Sequence, residues 1–81
     1  MKLRNMSHFT IKVSYKHGNP AEDVGVLIDY GLLGGCEEKR THSDGCVEFY
    51  NQEDKSGIIT VLGQSMGSHS LKEGESYAFT I

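Results

Sequence analysis

Polar and apolar residues alternate along much of this chain. Phe9, Ile11, Val13 and Tyr15 are interleaved with Thr10, Lys12, Ser14 and Lys16. Successive side chains of an extended strand point to opposite faces, so this period of two predicts a strand with one buried face. His17-Gly18-Asn19-Pro20 then interrupts it with turn formers. A second alternation sets Val24, Val26, Ile28 and Tyr30 on one face, with Gly25, Leu27 and Asp29 on the other.

After a second interruption, Gly31 to Gly35, a polar strand is expected from about Cys36 to His42 and another from Cys46 to Tyr50. Ser43-Asp44-Gly45 lies between them, and Asp-Gly predicts a hairpin because Gly accepts the positive φ of the turn. That hairpin would set Thr41 opposite Val47 and Lys39 opposite Phe49, with Thr41, Val47 and Phe49 inward and the Lys39 stem over their edge. Asn51 to Gly57 reads as a polar loop and Ile58 to Leu62 as a short buried strand. Gln64 to Ser70 reads as a loop or weak edge strand, Lys72 to Glu75 as a turn, and Tyr77, Phe79 and Ile81 as a last alternation. Six strands and a candidate seventh, with turn signals about every ten residues, predict an all-β fold: a small antiparallel sandwich with Ig-like Greek-key connections.

Eighty-one residues can supply one core, so residues 1–81 are expected to form one domain, with 1–7 as a flexible tail. Ten glycines and no sustained 3.6-residue apolar stripe agree with strands joined by turns. The net charge of −3 argues against general nucleic-acid binding. It is unevenly spread: residues 1–21 carry four basic and no acidic residues, and the remainder four basic and eleven acidic. This describes a solvated sheet with a basic N-terminal tail, or a basic edge that meets an acidic partner or a second copy. No apolar run approaches the ~20 residues of a membrane span, and no apolar segment follows Lys2 and Arg4 as in a signal peptide. The expectation is a cytoplasmic protein if the chain is complete, and an undefined compartment if it is an excised domain.

Four stretches, in order, resemble the transthyretin-like group of sandwiches, which includes carboxypeptidase regulatory-like and Cna-B-like domains. Phe9-Thr10-Ile11-Lys12-Val13 resembles the opening strand, and Gly18-Asn19-Pro20-Ala21 before Val24 to Ile28 resembles the Gly-x-Pro-Ala turn and second strand. Thr41 to Phe49 is similar to the family's Thr-x-x-Asp-Gly-x-apolar-x-Phe hairpin, and Gly57 to Gly63 with Leu71 to Ile81 resembles its last strands. The resemblance implies a transthyretin-like sandwich and leaves the chemistry open. The enzymatic branch, the 5-hydroxyisourate hydrolases, ends in Tyr-Arg-Gly-Ser, and Tyr77-Ala78-Phe79-Thr80-Ile81 departs from it.

Few residues suggest chemistry. Along the expected hairpin Cys36 and Cys46 would stand roughly 20 Å apart, so free thiols are expected. His42 and Cys46 would be neighbours and could supply two zinc ligands or a nucleophile–base pair, where a structural zinc site needs four ligands. His8, His17 and His69 fall at a strand start, a turn and a loop, and the serines around His69 lack a nucleophile-elbow context. Asn51 to Asp54 lacks the spaced oxygens of an EF-hand, and Gly31 to Gly35 lacks the Lys-Ser/Thr of a phosphate loop. Leu32 and Leu33, flanked by glycines, either cap the open end of the sandwich or project as an apolar tip, the candidate partner contact. The functional expectation is a non-catalytic binding or spacer module, without cofactor or metal, nucleic acid or membrane. It would recognise a protein or a carbohydrate through end loops or an edge strand, as a monomer or a weak edge-strand dimer. The alternative is a small metal-binding protein or enzyme using His42 and Cys46.

Overall fold

Among the described residues (6–31, 34–52 and 56–81) of a computed structural model, the alternating segments form seven strands and no helix. They are β1 (Met6–Ser14), β2 (Gly25–Asp29), β3 (Cys36–Arg40), β4 (Cys46–Gln52), β5 (Ser56–Val61), β6 (Gln64–Ser70) and β7 (Ser76–Thr80). Two sheets result, ordered β4-β1-β7 and β3-β2-β5-β6. All pairs are antiparallel except β1–β7, which is parallel. The fold is the expected small, largely antiparallel β-sandwich. Of the expected tail, Met6 and Ser7 instead pair in β1 with Gln52 and Asn51, and residues 1–5 lie outside the described residues. Leu32, Leu33, Glu53 and Asp54 lie outside them too.

The alternating faces meet in register. Phe9 pairs with Phe49 and Ile11 with Val47 in one sheet, while Val26 pairs with Val61 and Ile28 with Ile59 in the other. These side chains form one buried cluster with Val13, Ala21, Val24 and Leu71. Burying each large apolar side chain contributes about 1.5–3 kcal/mol, the driving force that holds the two sheets together. The rings of Phe9 and Phe49 stack at 5.7 Å, and Tyr77 meets Phe9 edge-on at 6.1 Å. Ile58 and Leu62 depart from the expected buried strand: they face outward, 44% and 62% exposed, because the four-stranded sheet is covered on one face only. Tyr15 also leaves its expected face, since β1 ends at Ser14, and its ring stacks on His17 at 5.4 Å.

The Asp44-Gly45 segment forms a tight turn, with Gly45 N–H donating to His42 O and His42 N–H to Cys46 O, each at 2.9 Å. It is not a hairpin. β3 pairs with β2 and β4 with β1, so the turn carries the chain from one sheet to the other. The expected ladder of Thr41 with Val47 and Lys39 with Phe49 is therefore replaced by contacts across the sandwich. Thr41, Val47 and Phe49 do face the core, and Lys39 Nζ lies 5.4 Å from the Phe49 ring centre. The physical reason is that β4 gains more against β1, where Phe49 and Val47 join Phe9 and Ile11, than against the charged β3.

This corner packs on the β1–β2 connection, another crossing between the sheets. Gly45 has φ +79°, and a Cβ there would lie 2.5 Å from Val13 O. The buried Thr41 hydroxyl donates to Ala21 O at 2.6 Å and accepts from Val24 N–H at 2.9 Å. Arg40 reaches the same connection through Asp23 Oδ1 at 2.6 Å and Asp23 O at 2.7 Å. Replacing Thr41 by Val keeps the shape but strands a buried donor and a buried acceptor. Urea unfolding should show Thr41→Val less stable by about 1–3 kcal/mol, with Thr41→Ser recovering much of the loss. An unchanged midpoint in Thr41→Val would show that these bonds contribute nothing.

Candidate functional site

The expected contact at Leu32 and Leu33 lies outside the described residues, but the loop that carries them is closed by its flanks. Tyr30 N–H donates to Gly35 O at 2.8 Å, and Gly31 N–H to Asp29 Oδ1 at 2.9 Å. Beside this loop lies an open hollow of about 200 Å³, bordered by Asp29, Tyr30, Gly57, Ile58 and Ser68. The Tyr30 hydroxyl is buried without a hydrogen-bond partner among the described residues. Burial, and then the nearby Glu37 carboxylate, push its pKa up to about 12 from the ordinary 10.

Both cysteines are free thiols. Cys36 opens β3 and Cys46 follows the corner at its far end, so the length of β3 separates them by more than about 13 Å, beyond disulfide reach. Local desolvation, and then the charge of Asp29 and a hydrogen bond to it, push the Cys36 thiol up, although the residue as a whole is exposed. Such a shift lowers the thiolate fraction and opposes nucleophilic chemistry. His42 and Cys46 do share the turn, joined by their backbones. Among the described residues no third His, Cys, Asp or Glu completes a metal-binding group with them.

The two margins of the sandwich differ. At one, β3 carries Glu37, Glu38, Lys39 and Arg40 beside β4, and Lys39 Nζ bonds Glu48 O at 3.0 Å across the sheets. At the other, β6 and β7 carry no Asp, Glu, Lys or Arg. His69 of β6 packs on Phe79 at 5.4 Å and Tyr77 at 5.9 Å, and its Nε2 lies 2.9 Å from Met66 O. The Tyr77 hydroxyl donates to Ser70 O. Sequence patterning missed this aromatic margin because of a β-bulge. Ile58 pairs with Ser68 and Thr60 with Ser65, so Met66 and Gly67 together stand opposite Ile59. The extra residue lets Met66 and His69, three apart, both contact the interior, which hides the period of two. The signal available was Gly67 inside a strand-like run.

Two expected outcomes test these environments. Replacing Asp29 by Asn keeps an acceptor for Gly31 and removes the charge beside Cys36. Alkylation of Cys36 at pH 8, followed by mass spectrometry, should be faster in Asp29→Asn, and an equal rate would remove Asp29 as a cause. For Tyr30, a folded pKa above the unfolded one favours the neutral form. Its contribution is complete below pH 10 and is lost as pH rises through about 12. Tyr30→Phe should match or exceed wild-type stability at pH 8 and lose less between pH 10 and pH 12, read by urea unfolding. Parallel losses in both proteins would contradict this. Comparison with known protein families, with curated proteins and with solved structures found no match.

Proposed function

We propose that this chain is a non-catalytic binding or spacer module of the transthyretin-like, carboxypeptidase regulatory-like kind that recognises a polypeptide partner. The observation that carries the reading is the contrast between margins: β3 and β4 are screened by charge, whereas β6 and β7 carry none. Uncharged sheet edges with free backbone groups are the parts of a sandwich best suited to recognising extended chain. The family reading is supported by the positions of its motif residues. Gly45 takes the positive φ of the turn, and Thr41, Val47 and Phe49 are buried around the corner.

The test pairs selection from a linear-peptide library and a glycan array with mapping on the protein's amide resonances. Binders whose footprint falls on β6, β7 or the 29–36 loop support the module. No peptide or glycan binder, together with Zn²⁺ that perturbs His42 and Cys46 and raises the melting temperature, would favour the metal-binding alternative.

A further inference from the structure

The turn between β5 and β6 holds a leucine in an unfavourable backbone conformation. Val61 pairs with Gln64, so Leu62 and Gly63 form a two-residue turn, and both have positive φ, +52° and +77°. Such a turn selects Asn-Gly, because asparagine tolerates the left-handed region and a bulky side chain does not. Among the described residues Asp23 is the one other non-glycine residue with positive φ, and aspartate adopts it readily. Leu62 gains no core packing in return, since it is exposed and outside the buried cluster. Neither the turn nor the core accounts for a leucine at this position.

Leu62 borders a hollow of about 260 Å³ on the outer face of the four-stranded sheet, lined also by Gly25, Leu27, Glu38, Arg40 and Thr60. Val26, Ile28, Ile59 and Val61 turn inward, so Leu27 and Thr60 between them turn outward. The Glu38 carboxylate reaches over Gly25, where a Cβ would stand 3.0 Å from its Oε2. Among the described residues Glu38 has no ion-pair partner. Arg40, the cation at the rim, is already bonded to Asp23 Oδ1 at 2.6 Å and Asp23 O at 2.7 Å. β5 and β6 carry no Lys or Arg. The hollow therefore sets one unneutralised carboxylate beside two leucines. The undescribed stretches join the chain next to Met6, Gly31, Gly34, Gln52 and Ser56. Strand register places those residues at the opposite end of the sandwich from Gly25, Arg40 and Leu62.

We infer that this hollow receives one basic side chain of a partner polypeptide. Its charged end meets Glu38, and its aliphatic stem, with a neighbouring apolar residue, lies on Leu27 and Leu62. The site is separate from the margins that carry the binding-module reading, and it is tested separately. Long basic side chains bury an apolar stem while keeping the charge at a rim, which matches leucine walls beside a carboxylate. At about 260 Å³ the hollow is smaller than the ~300–1,000 Å³ pockets that enclose small molecules, and it suits a single side chain. Charge also selects the partner. The same face of a second copy would bring another Glu38 and an Arg40 already held by its own Asp23, so it supplies no free cation. Docking of a second copy through its exposed Lys12 or Lys16 would be a head-to-tail contact, which grows into rings or filaments instead of closing as a pair. A different polypeptide supplies the charge without either consequence. The left-handed Leu62 is then a backbone strain retained for contact at the surface.

The test titrates the full chain with blocked peptides, acetyl-Gly-Leu-Xaa-Leu-Gly-amide, in which Xaa is lysine, norleucine or glutamate, and follows the protein's amide resonances. The lysine peptide should shift the amides of Gly25, Leu27, Glu38 and Leu62. It should bind about threefold tighter than the norleucine peptide, with the glutamate peptide weakest. Glu38→Gln should abolish the preference for lysine over norleucine. Leu62→Asn should raise the melting temperature, because asparagine suits the turn, while weakening the lysine peptide about tenfold. A lower melting temperature in that variant would show that Leu62 serves the fold, and would overturn its place in the site. Should Leu62→Asn fail to fold, Glu38→Gln at its exposed position decides alone. Equal affinity for the three peptides, or no shift at millimolar lysine peptide, would overturn the inference. So would a dimer or filament, seen by sedimentation without peptide, that perturbs the same four amides. Shifts confined to β6, β7 or the 29–36 loop would remove this site and leave the binding-module reading standing.

Discussion

The Thr41 hydroxyl is the polar contact on which the rest of the sandwich depends. A two-sheet fold must carry its chain between layers, and the crossing segments cannot satisfy their backbone groups within a ladder. Here the β1–β2 and β3–β4 crossings lie against each other, and Thr41 serves both by donating to Ala21 O and accepting from Val24 N–H. The surrounding bonds close the node: Val13 N–H to Gly45 O, Ala21 N–H to Val13 O, Asp23 N–H to Thr41 O and Thr41 N–H to Val24 O. An unpaired buried donor or acceptor costs about 1–3 kcal/mol, a large share of the net stability of so small a domain.

With the corner set, the core follows from register. Phe9 sits on the central strand of the three-stranded sheet, stacked on Phe49 to one side and met by Tyr77 on the other. One ring thus couples all three strands, and β2 and β5 supply the opposing layer through paired Val26–Val61 and Ile28–Ile59. A one-residue slip in any of these pairings would turn buried side chains to solvent, so burial itself holds the register.

The faces of β1, β2 and β4 were legible in the sequence because each alternation is local and its apolar residues are large. Partner choice was not. The Asp44-Gly45 turn chemistry is the same whether the chain returns along the same sheet or crosses to the other. The crossing is decided by what Phe49 and Val47 meet on β1, more than thirty residues earlier. The parallel β1–β7 pair was hidden for the same reason, being the most distant pairing among the described strands. On β6 the bulge shifted Met66 and His69 out of a period of two. As for a binding site, Leu32 and Leu33 stood out by composition, yet the value of an uncharged strand depends on whether it is central or at an edge. That distinction exists only once the sheet order is known.

Among the described residues, edge protection comes from three unrelated devices: charge on β3, a lysine cap on a β4 carbonyl, and a bulge on β6. None follows from the needs of the core, since each concerns groups that point away from it. Among the described residues β7 shows none of the three, and the same alternation explains why. Tyr77 and Phe79 turn inward, which leaves small Ser76, Ala78 and Thr80 outward and the backbone between them unscreened. Among the described strands β7 is also held from one side only, by a parallel ladder, the weaker kind of pairing per residue. Stability and openness are therefore linked at this strand.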